Sequence, residues 1–70
     1  MAYSEGDKVK WKWGGGHGRG TVQSVFEEKT TRTIDGEEIT KHGSKDDPAV
    51  YVDVEDGNNV LKLASELEKD

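Results

Sequence analysis

The stretch KVKWKWGGGHGRGTV, Lys8 to Val22, decides how the rest of the chain is read. Val9, Trp11 and Trp13 fall on one parity, and Lys8, Lys10 and Lys12 on the other. A period of two over these positions marks a half-buried strand, because successive strand side chains leave opposite faces. Gly14–Gly16 end it, since glycine enters tight or irregular backbone at little steric cost. The Gly14–Gly18 segment is therefore expected to be a flexible corner around which the first two strands swing apart. A phosphate-cradling loop would need a lysine and a hydroxyl after the last glycine, then a helix. Here Arg19, Gly20 and Thr21 lead into β-prone residues instead, and the position three after Gly18 is Thr21.

Outward from this stretch, RGTVQSVFEEKTTRT is rich in Thr, Val and Phe and reads as one long, strongly bent second strand. Val22, Ser24 and Phe26 share a parity that Val25 breaks, and a bulge near Ser24 reconciles them. Asp35-Gly36, between Ile34 and Ile39, predicts a hairpin turn. KHGSKDDP is a polar loop, with Pro48 at a strand entry where its missing N–H costs least. In AVYVDVE, Val50, Val52 and Val54 alternate with Tyr51, Asp53 and Glu55, the clearest strand pattern in the chain. DGNN is a turn, VLKL a last short strand, and Ser65-x-x-Glu68 a capping box with room for a single helical turn. Short strands separated by Gly/Asp/Asn turns predict an all-β fold, a five-stranded barrel or sandwich, with a short C-terminal helical turn. Residues 1–5 are expected to be a flexible tail, and 6–68 a single domain.

Seventy residues bound the chain to one domain. A domain of this size buries only ~60% of the surface its unfolded chain exposes, so its core is thin. With no cysteine there is no disulfide and no thiolate metal site. No apolar run approaches membrane-spanning length, and a soluble, cytoplasmic monomer is expected. The net charge of −5 is unevenly spread: +2 over residues 1–20, −3 over 21–48 and −4 over 49–70. A globally acidic chain is a poor non-specific ligand for polyphosphate, and the basic character is local to the first strand.

Trp11 and Trp13 share Val9's face, which makes them either packing residues or, for Trp13 at the strand's end, a partly exposed contact. Trp13 with Tyr51 or Phe26 would form an aromatic surface for a cation or a base. Asp53, Glu55 and Asp56 lie on Tyr51's side of its strand or in the turn after it, a solvated acidic face that would favour a methylated lysine or arginine if an aromatic pocket stood next to it. Lys8, Lys10 and Lys12, with Arg19, point instead to an anion such as single-stranded RNA. Catalysis and metal binding have little support. His17 and His42 are the only histidines and show no ligand spacing. Counted from Asp53, the bidentate position of a calcium loop falls on Ala64. A non-enzymatic protein without metal or cofactor is expected.

GDKVKWKW, GRGTV and HGSKDDPAVYVDV together resemble the small Tudor-like domain family named for hypervirulence-associated proteins, from about Gly6 to Leu67. The most specific element is SKDDP, Ser44 to Pro48, followed by a valine-rich strand; the tail Leu61 to Leu67 fits the same pattern. The resemblance implies an SH3-like barrel and a binding module without catalytic residues. Better-understood Tudor domains hold methylated lysine or arginine in an aromatic cage, for which Trp13, Tyr51 and Phe26 are the candidates here. The opening Gly6 to Val22 also resembles a KOW motif, as in ribosomal and transcription-elongation proteins that touch RNA. Two expectations follow. The first is recognition of a protein or peptide by Trp13, Tyr51, Trp11, Phe26 and Asp53 at the barrel's open end. The second is single-stranded nucleic-acid binding by Lys8, Lys10, Lys12 and Arg19.

Overall fold

The computed structural model describes residues 3–54 and 59–70, and of Trp13 the backbone only. Its strands are β1 (Lys8–Trp13), β2 (Gly16–Phe26), β3 (Lys29–Ile34), β4 (Glu37–His42), β5 (Ala49–Val54), β6 (Asn59–Leu63) and β7 (Glu68–Lys69). A 3-10 turn, Ala64–Glu66, separates β6 from β7. The fold is all-β, as expected. One antiparallel sheet of five strands runs β6-β5-β2-β1-β7, and β3-β4 form a separate hairpin.

The expected corner at Gly14–Gly18 is not there. β1 and β2 pair without interruption from Lys8↔Thr21 to Trp13↔Gly16, so only Gly14 and Gly15 form the turn. The register explains the glycines. Val9 stands opposite Gly20, and Trp11 opposite Gly18. A Cβ built on Gly18 would lie 2.5 Å from Cζ2 and 2.6 Å from Nε1 of Trp11, so the indole occupies the place of the missing side chain. At Gly20 it would lie 2.5 Å from Cγ1 of Val52 and 2.7 Å from the Asp53 carbonyl oxygen. The alternating glycines of GHGRG let a wide ring lie flat against the neighbouring strand, a packing role rather than a hinge.

The anticipated bulge is present. Val22 pairs with Val52 and Ser24 with Tyr51, leaving Gln23 unpaired. Val22 and Val25 thereby reach the same face, and the core forms there from Tyr3, Val9, Trp11, Val22, Val50, Val52 and Leu67, flanked by Val25, Val54, Val60 and Ala64. Val9, Val50 and Val52 are fully buried. The single long strand expected through Thr33 is instead broken at Glu27–Glu28, after which β3 leaves the sheet. Asp35 (φ 53°) and Gly36 (φ 80°) make the hairpin turn that DG predicts, with both central residues left-handed.

Tyr3, inside the stretch expected as a tail, is 5% exposed and belongs to the core. It is held there by a turn in which the Asp7 N–H donates to the Ser4 carbonyl, and by bonds between Gly6, Asp7 and Val22. Burial first, then the nearby carboxylates of Glu68 and Asp7, raise the Tyr3 phenol above its ordinary value.

The SKDDP loop is a latch. The Asp47 carboxylate accepts from the Ser65 N–H and Oγ, both at 2.8 Å, while the Asp47 N–H donates to Ser44 Oγ at 3.1 Å. The Pro48 carbonyl accepts from the Ala64 N–H at 2.8 Å. The expected Ser65/Glu68 capping box is displaced by two residues, because Ser65 is committed to Asp47. Glu66 instead accepts from the Leu63 N–H at 2.9 Å. Lys41 Nζ on β4 sits 3.2 Å from the same carboxylate and ties the hairpin to the turn. Burial alone would raise the Glu66 carboxyl; the Leu63 N–H with Lys41 and Lys62 outweighs it, and the group titrates below its ordinary value. Asp47→Ala is expected to lose ~1–2 kcal/mol, the worth of charge-assisted bonds at a partly exposed site. In a domain of this size that is a fall of about 5–15 °C in Tm by thermal melt. A shift under 2 °C would show that the latch is not stabilising.

Candidate functional site

The sheet face opposite the core is set by the same β1-β2 register that buries Trp11. Lys8 lies beside Thr21, Lys10 beside Arg19 and Lys12 beside His17. Lys8 Nζ donates to Thr21 Oγ1 at 2.9 Å, which orients the ammonium along the sheet. Two shallow recesses lie on this face. One, of about 500 Å³, is lined by Lys10, His17 and Arg19, and the other, of about 330 Å³, by Lys8, Arg19, Gly20, Thr21 and Asp70. Lys8, Lys10, Lys12 and Arg19, expected together on sequence grounds, are thus brought into one ladder, with His17 added to it.

Acid enters from one edge. β7 pairs with β1 through Val9↔Lys69 and Lys10↔Glu68, and the Asp70 N–H donates to the Lys8 carbonyl. The Asp70 carboxylate reaches Arg19 Nε at 3.6 Å, but the Arg19 side chain remains 72% exposed. Such a pair is loose and screened by salt.

Beyond the Gln23 bulge the same face continues through Ser24, Tyr51 and Phe26. The structure brings Tyr51 and Phe26 together beneath Arg32 of β3, whose guanidinium carbon stands 4.6 Å from the Phe26 ring centroid and 5.8 Å from that of Tyr51. Asn59 Nδ2 donates to the Tyr51 hydroxyl at 2.7 Å. Asp53 is exposed and lies between Thr21 and Asn59. Trp11, offered as a contact, is a core residue at 6% exposure, on the face away from Tyr51 and Phe26. The Trp13 side chain, Glu55, Asp56 and the turn read at DGNN, apart from Asn59, lie outside the described residues.

Arg32, His17 and Asn59 were missed by the sequence reading. His17 carried a signal, since GHGRG alternates with the same period as KVKWKW once the strands are paired. Arg32 carried none, because only the fold of the hairpin over the sheet brings TTRT to the aromatic pair. Among the described residues no cluster of His, Asp or Glu is arranged to hold a metal, and no helix is long and apolar enough to cross a membrane.

The family model described as "Hypervirulence associated proteins TUDOR domain" matches residues 6–67. No curated protein and no solved structure matches the chain.

Proposed function

The chain belongs to the family of hypervirulence-associated protein Tudor domains, and from that premise we propose that it is a non-catalytic binding module for nucleic acid. Domains of this family are small binding modules. The interface is the outer face of the β1-β2 hairpin. The observation that carries this reading is the ladder of Lys8, Lys10, Lys12 and Arg19, with His17 beside Lys12, gathered on one face of a chain whose net charge is −5, to which His contributes nothing. Cations concentrated against the sign of the whole molecule make a local phosphate-binding strip. The alternative, a peptide gripped by aromatic rings, has less support. Trp11 is packed in the core, and Tyr51 and Phe26 already carry the Arg32 guanidinium as a cation of the chain's own.

The test is a titration of a fluorescein-labelled single-stranded RNA 12-mer by the protein, read by anisotropy between about 50 and 200 mM salt. Four cationic contacts predict that log K falls with log salt at a slope near −3, at ~0.7 per single-strand phosphate neutralised. Binding that ignores salt, or its absence at low salt, would overturn the proposal.

A further inference from the structure

Resting on the ladder as a phosphate strip, we propose that Arg32 is a base-stacking platform and that the ligand is therefore single-stranded. Three observations meet at this residue. The guanidinium carbon lies over the Phe26 and Tyr51 rings, 4.6 and 5.8 Å from their centroids, so two aromatic rings border the group. The Asn59 bond to the Tyr51 hydroxyl anchors one of those rings. Among the described residues no carboxylate forms an ion pair with Arg32, although the chain carries 15 acidic residues. Among the described residues its side chain makes one hydrogen bond, from Nη1 to the neighbouring Thr31 carbonyl at 2.8 Å, out of five possible donors.

An arginine that served only as a structural counter-ion would face an acid. This one lies over two aromatic rings, is half-exposed and, among the described residues, faces no acid. Planar guanidinium groups accept stacked nucleobases as aromatic rings do, whereas a base inside a duplex has no free face to offer.

Placement on the sheet supplies the path. β2 carries His17, Arg19 and Thr21 on its outer face, and past the bulge Ser24 and Phe26 on the same face. A strand laid along β2 meets cations first, then two neutral hydroxyl residues, then the Arg32 platform. Asp53, exposed on β5, stands directly beside Thr21 on this face, an acid between the cationic end and the platform. From Arg19 to Phe26 the run is roughly 20 Å at strand rise, a span of a few nucleotides. The arrangement assigns phosphates to one end of the face and a splayed base to the other.

The experiment compares two probes on the intact chain: a single-stranded oligouridylate and inorganic polyphosphate of matched charge, which has phosphates but no bases. The wild type is expected to bind the oligonucleotide about tenfold more tightly than polyphosphate. Arg32→Lys keeps the charge and removes the planar stack, so the oligonucleotide should weaken about tenfold while polyphosphate is unchanged. A readout on the unaltered protein does not depend on how the variant folds: the Arg32 Nε–H and Tyr51 ring resonances should shift with the oligonucleotide and stay in place with polyphosphate. Equal binding of the two probes, with Arg32→Lys and the resonances indifferent to which is added, would overturn the platform and leave the ladder standing. No binding of either would overturn both. A poly-glutamate peptide that binds more tightly than the oligonucleotide would overturn the proposal in favour of an acidic protein partner.

Discussion

Alanine at Gly20 is expected to cost ~3 kcal/mol or more, and alanine at Gly18 ~2–3 kcal/mol, the range in which overpacking a close-fitting interior falls. The two sites differ in what can give way. At Gly18 the added methyl meets the Trp11 ring, with Cζ2 2.5 Å away, and the indole has to leave its place over the strand. At Gly20 it meets the Asp53 carbonyl oxygen at 2.7 Å as well as a Val52 methyl, and backbone cannot retreat without opening the β2-β5 ladder. A 70-residue domain holds roughly 4–10 kcal/mol in total. Gly18→Ala should therefore lower Tm by about 10–20 °C and Gly20→Ala by more. Gly14→Ala is the internal control. Nothing stands within 4 Å of its Cβ position, and its melt should stay within the ~0.5 kcal/mol usual for surface changes. Melts of Gly18→Ala and Gly20→Ala that coincide with that of Gly14→Ala would show that Trp11 and Val52 do not pack on the glycines as described.

The same glycines show where sequence reasoning reached and where it stopped. Alternation in KVKWKW predicts a half-buried strand, and the broken parity around Ser24 predicts a bulge; both follow from the period of one strand, and both are present. Three consecutive glycines, read one strand at a time, suggest a loose corner. The role of the glycines that follow is visible only across two strands, where Val9 and Trp11 of β1 meet Gly20 and Gly18 of β2 and each lysine meets a polar or basic side chain. SKDDP was legible as a marker of the family and not as a latch, because its partner Ser65 lies 18 residues away in sequence. β7 has only two residues and therefore no period at all. Of the candidate site, the lysine ladder was legible because it needs one strand. The aromatic pair under Arg32 was not, because it needs β2, β3 and β5 to be placed first.

The ladder itself predicts effects of opposite sign from neighbouring residues. Lys10→Gln with Lys12→Gln removes two cations from the outer face without setting a carboxylate against Glu68, which pairs with Lys10. Single-stranded RNA should then bind about 10–30-fold more weakly at low salt. The salt slope should become shallower by ~1.4, two contacts at ~0.7 each. Lys29→Gln with Lys45→Gln makes the same change in net charge at exposed positions away from the β1-β2 face. If only the total charge matters, the two pairs will behave alike; if the ladder binds, the second will leave the slope where it was. Asp70→Asn should act the other way. Its carboxylate sits 3.6 Å from Arg19, while its N–H holds the edge through the Lys8 carbonyl, so neutralising the side chain releases Arg19 and keeps the backbone bond. Affinity should rise a few-fold, with the gain fading as salt screens the exposed pair. An unchanged affinity in the Lys10/Lys12 variant, measured by the same anisotropy titration, would remove the ladder from the binding surface whatever Asp70→Asn does. A loss in the first variant and a gain in the second would mark the β1-β2 face as an anion site held in check by Asp70, which follows the strand at its edge.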